Sequence, residues 1–217
     1  MQTWTVTYSS PKFKPMGKQR AFSNPGLPVI ARGTLVATST GWRPIELLSE
    51  GEEVWTFDDG LQRLLGVKRR VVPPHEHGAR AGVPLVRIPA RALGNERDIV
   101  CTATAGIMVE CENASDPMGE PYAVLPASAL VGVCDVSAYE LEKPVAFYTL
   151  QLNKEQAVYL DSGLPFHFEG MNKTRKSRYD VKTTKQAEAL LTDTDLNVLA
   201  FRKPYEEFFT QYVANRA

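Results

Sequence analysis

Turn chemistry interrupts this chain at short intervals, and that constrains its fold more than any other feature. Asp59-Gly60, the 73–78 loop, Gly94-Asn95, Asp116-Pro117 and Gly163-Leu164-Pro165 all place glycine, proline, Asn or Asp where a chain reverses. Between them lie runs rich in Val, Ile, Leu, Tyr and Phe: 34–38, 53–58, 63–72, 85–89, 98–101, 107–111, 123–126, 145–152 and 157–160. Such runs are short for helices and suit a pleated, half-buried surface. The expected fold class is therefore mainly β. Near the start, Trp4, Val6 and Tyr8 alternate with Thr3, Thr5 and Thr7, the pattern of one more half-buried strand. Residues 9–28 lack periodicity and read as an arm.

Helix signals are few. Residues 44–48 and 126–131 read as one- or two-turn helices, each with a proline near the first helical position, where its missing N–H does no harm. Residues 183–191 begin with a Thr cap. Residues 204–216 begin with proline, carry acids in the first turn and arginine near the end, and present an apolar stripe of Tyr205, Phe208, Phe209, Tyr212 and Val213. The expected organisation is an N-terminal strand and arm over 1–28, a β domain over 29–170, and a basic connector with helices over 171–217.

Charge excludes some function classes. Lys plus Arg and Asp plus Glu each number 25 among 217 residues, so no global field draws nucleic acid or an acidic membrane. No apolar run approaches the ~20 residues that span a bilayer. MQTWTVTYSSPKFK lacks a basic start followed by an apolar stretch, so a cytoplasmic location is expected. Cys101, Cys111 and Cys134 are odd in number and form no C-x-x-C pair. That argues against a disulfide scaffold or a cysteine zinc site and for buried, reduced thiols. No cofactor is implied.

The order of pieces resembles a known family. Gly33-Thr34-Leu35-Val36-Ala37-Thr38, then Gly41-Trp42-Arg43-Pro44-Ile45-Glu46-Leu47, then Gly51-Glu52-Glu53-Val54-Trp55-Thr56 are similar to the opening of a bacterial Hint (Hedgehog/intein) domain. Residues 86–94, 107–110, 124–131, 145–152 and 157–164 resemble later segments of that family in the same order. The resemblance implies an irregular β horseshoe with pseudo-twofold symmetry. It also implies self-processing chemistry: a Cys or Ser attacks the preceding carbonyl, and a Thr-x-x-His motif polarises that amide and protonates the leaving nitrogen.

The reactive positions depart from that pattern. The nucleophile position falls on Val29, which has no lone pair to attack with. The Thr-x-x-His motif falls on Thr102-Ala103-Thr104-Ala105, so threonine stays and Ala105 replaces histidine. Gly106 stands where an arginine often follows. Two further histidine positions fall on Thr149 and Glu155, and of all these residues only Glu155 can exchange a proton near neutral pH. The leading expectation is a Hint-like domain that has lost self-processing and serves a binding or structural role, with an unidentified protein or peptide partner.

Other candidates remain. Cys101 adjoins Thr102, and His167 falls where the family tends to carry an acid, so both could line the former cleft. A relocated nucleophile, Cys101 or Ser23 with His167, would make the chain an active autoproteolytic or hydrolytic enzyme. His75-Glu76-His77 could present two imidazoles on one face, but no third metal ligand is evident. The run from Lys173 to Arg178, with Lys182 and Lys185, could join Lys12, Lys14, Lys18 and Arg20 in a patch for an anionic partner, or be a solvated connector.

Overall fold

A computed structural model describes residues 29–74, 83–111, 113–161, 163–172 and 177–193. The expected strand over 3–8, the arm, Ser23, His75, His77 and the helix over 204–216 lie outside these residues.

Among the described residues, fourteen strands follow one another: β1 (Ile30–Ala31), β2 (Leu35–Thr38), β3 (Gly41–Pro44), β4 (Glu53–Thr56), β5 (Gly60–Arg63), β6 (Gly66–Val72), β7 (Leu85–Ile88), β8 (Ile99–Thr102), β9 (Gly106–Glu110), β10 (Tyr122–Pro126), β11 (Ser137–Tyr139), β12 (Val145–Gln151), β13 (Gln156–Leu160) and β14 (Leu164–Phe168). They form two antiparallel sheets. The first runs β11-β7-β8-β1-β12-β6, and the second runs β10-β9-β14-β13-β2-β4-β5 with β3 on β2. Among the described residues no helix is long and apolar enough to cross a membrane.

The chain passes between the sheets repeatedly, and these crossings explain where the expected strands break. Residues 63–72 read as one run, yet Leu64 and Leu65 turn to different partners. The Leu64 N–H donates to the Glu52 carbonyl beside β4, and the Leu65 N–H donates to the Gln151 carbonyl of β12 (both 2.8 Å). Leu64 is fully buried at this crossing. Other crossings lie between β1 and β2, between β8 and β9, and between β12 and β13.

The main core fills the space between the sheets. Ile30, Ile107, Leu125, Val158, Phe166 and Phe168 are all essentially inaccessible there. All five residues of β13 are buried, because both faces of this central strand are covered. Val158 and Leu160 point to the main core, whereas Tyr159 joins Ala37, Trp42, Trp55 and Phe57 on the other side.

Residues 45–47 and 127–130 form single 3-10 turns after Pro44 and Pro126. The helix α1 (Thr184–Asp193) starts where the Thr cap is expected. The Thr183 N–H donates to Gln186 Oε1 (2.9 Å) and the Gln186 N–H donates to Thr183 Oγ1 (3.4 Å), a reciprocal capping box. Ala187 anchors α1 on the core. One thiol departs from expectation: Cys101 and Cys111 are buried, but Cys134 is exposed. It occupies a turn with φ 47° before β11, where its side chain faces outward.

Candidate functional site

Some candidate positions, Thr102, Ala105 and Glu155, lie at crossings between the sheets, whereas Cys101, Thr149 and His167 lie within strands. Val29 precedes β1, an interior strand of the first sheet. Its N–H donates to the Tyr148 carbonyl of β12 (2.8 Å), and its carbonyl accepts the Thr102 N–H from β8 (2.9 Å). Its side chain packs on the main core. Thr149, the next residue after Tyr148, is buried and pairs with Lys68 of β6.

Thr102 begins the crossing from β8 to β9. Its hydroxyl lies 3.4 Å from that of Thr104. The Ala105 N–H donates to the Thr102 carbonyl (2.9 Å), the Ala127 N–H to the Ala105 carbonyl (2.8 Å), and the Ser128 N–H to the Ala103 carbonyl (2.9 Å). Backbone bonds therefore fix this turn tightly. Ala105 is 1% exposed and packs in the main core.

Gly106 then enters the second sheet opposite His167 of β14. A Cβ at Gly106 would lie 2.7 Å from Val124 Cγ1 and 3.1 Å from His167 Cβ. Only glycine allows this close approach. His167 faces Glu155, in the turn between β12 and β13, at 3.5 Å from Nε2 to Oε2. Two residues singled out separately in the sequence thus meet as a histidine–carboxylate pair.

Cys101 takes no part in that pair. It is 0% exposed within β8, between Ile30 and Val86. Burial pushes its thiol up to about 12, so it stays protonated and a poor nucleophile at neutral pH.

The sequence reading missed the groups around Glu155. Its carboxylate accepts the Ser177 hydroxyl (2.9 Å) and the Arg178 backbone N–H. Burial works against its charge, but bonds from His167, Arg178 and Ser177 hold its carboxyl below the ordinary value. Asp59 accepts the Gln156 amide (2.7 Å) and the Arg178 guanidinium (2.6 Å), and these bonds hold its carboxyl low too. The Tyr179 hydroxyl donates to Asp58 Oδ2 (2.5 Å) and accepts the Ala157 N–H (3.1 Å). Burial, then the Asp58 carboxylate, drives this phenol upward. The available signal was the Asp58-Asp59-Gly60 turn, which reads as punctuation when no partner is in view.

Two members of the basic run are engaged within the chain. Arg178 pairs with Asp59, and Lys182 Nζ pairs with Asp180 (2.6 Å). Among the described residues no group of three or more His, Cys, Asp and Glu could hold a metal ion. A shallow cavity of about 310 Å³ lies elsewhere, lined by Thr38, Ser39, Thr40, Gly51, Glu52, Glu53 and Arg63.

A family model described as the Hint domain matches residues 28–166. No curated protein matches significantly. The chain is similar to the solution structure of a bacterial intein-like domain from Clostridium thermocellum, at 16% identity over 65% of this chain and 99% of that one, with a TM-score of 0.43. It is also similar to a splice-inactive variant of the AceL NrdHF class 3 split intein (12% identity, 67% and 100% covered, TM-score 0.43). The MchDnaB-1 intein is another such structure (16% identity, 64% and 98% covered, TM-score 0.39).

Proposed function

The chain belongs to the Hint domain family, and from that premise we propose that it is a Hint domain without protein-splicing or autoprocessing activity that serves a binding role. The observation that carries this reading is Val29. An apolar side chain occupies the position where the family's chemistry needs a sulfur or oxygen nucleophile, and it packs on the core. Ala105 supports it from the other side of the reaction, since a methyl group cannot protonate a leaving nitrogen. Losing one member of a co-operating catalytic set typically costs orders of magnitude in rate, and joint losses overlap. The organisation proposed with this reading is an N-terminal arm over 1–28, the Hint unit over 29–170 and a C-terminal extension over 171–217.

A relocated nucleophile finds little support in Cys101, whose thiol is sealed in β8 and held protonated. The test is incubation of the purified chain with dithiothreitol and hydroxylamine, which cleave thioester and ester intermediates. No fragment is expected. A fragment ending at one fixed bond, lost in Cys101→Ala or Ser23→Ala, would overturn the reading in favour of an active enzyme.

A further inference from the structure

We infer that the groove between the edge of β10 and the turns holding Asp58, Asp59 and Glu155 is a recognition site for extended basic peptides bearing an Arg-Tyr pair, occupied in this chain by its own residues 177–182. The inference rests on the binding role proposed above and gives it a ligand class.

The occupying segment lies beyond the matched residues 28–166, yet it is held as a bound peptide is held. β10 is an edge strand of the second sheet. The Val124 N–H donates to the Asp180 carbonyl and the Lys182 N–H donates to the Val124 carbonyl, both at 2.9 Å. Val181 thereby pairs in parallel with Val124. Adding a strand to a free edge supplies affinity through the backbone, while pockets for side chains supply specificity. Here the side chains are read individually. Glu155 receives the Ser177 hydroxyl and the Arg178 N–H. Asp59 receives the guanidinium, and Asp58 with the Ala157 N–H brackets the phenol. The Tyr179 ring meets His167 edge to face, with centroids 5.2 Å apart.

Three carboxylates in one groove select a cationic ligand and reject an acidic one. A tethered segment acts at an effective concentration in the millimolar range, so a free peptide competes poorly until the tethered anchors are removed.

The probe is a fluorescein-labelled peptide with the sequence of residues 176–182, Lys-Ser-Arg-Tyr-Asp-Val-Lys, read by anisotropy against the full chain. Arg178→Ala/Tyr179→Ala should bind it about tenfold or more tighter than the unaltered chain does. Adding Asp58→Asn/Asp59→Asn should abolish that gain, and a peptide with Glu in place of Arg should not bind. A folded double variant that binds no better than the unaltered chain would overturn the inference. Should the double variant fail to fold, amide exchange on the unaltered chain decides. Millimolar peptide should accelerate exchange of the Lys182 N–H, and no acceleration would overturn the inference. Intact mass on the same samples reports cleavage separately, so loss of the groove and loss of the non-processing reading are distinguishable.

Discussion

Val29 is held through its backbone on both sides and through its side chain on the core. On the proposed reading, a new nucleophile there would still lack a proton donor, since Ala105 stands at the histidine position. Val29→Cys is therefore expected to leave the chain uncleaved, as read by mass after prolonged incubation. Gly106 is closely packed on both sides. Gly106→Ala brings a methyl against Val124 and His167, and overpacking of this kind costs about 1–3 kcal/mol, measurable as a lower denaturant midpoint. The thiols give a third test. Maleimide should label the exposed Cys134 quickly, and Cys101 only when the chain unfolds. Glu155 adds a pH dependence of defined sign. Its carboxyl is held below the ordinary 4.5, so its stabilisation is fully present above that value and is lost as pH falls through the lower folded value. Denaturant midpoints should fall on the acid side, and Glu155→Gln should weaken that fall.

At the scale of elements, β13 and β14 join the core to the candidate site. Phe166 is 1% exposed on β14, next to His167. Phe166→Ala should cost about 3–5 kcal/mol and should also loosen the His167–Glu155 pair, visible as shifted histidine resonances. Local chemistry made several elements legible. Pro44 and Pro126 marked the 3-10 turns, and Thr183 marked the start of α1. Other elements escaped for identifiable reasons. β1 is two residues long, and β11 is three exposed residues that alternate with nothing. β14 was absorbed into a turn reading because Pro165 lies inside it. The break at Leu64–Leu65 follows from which sheet each N–H reaches, and apolar content alone does not encode that.

Across the described residues, the chain passes repeatedly between the two sheets, and Thr102, Ala105 and Glu155 lie at such crossings. The order of strands and turns was readable because each turn carries its own chemistry. The meeting of Glu155 with His167, and of Asp58 and Asp59 with Arg178 and Tyr179, was not. The latter contacts join residues about 120 positions apart, |i−j| being 119 for Asp59–Arg178 and 121 for Asp58–Tyr179, and no periodicity reports such a pairing. We propose that this Hint domain keeps the family's fold without its reactive groups. Intact-mass measurement of the freshly purified chain, repeated after days at neutral pH, tests it most directly. The account predicts one unchanged species containing all 217 residues. A product cleaved on the N-terminal side of Val29 that accumulates with first-order kinetics independent of protein concentration would contradict it.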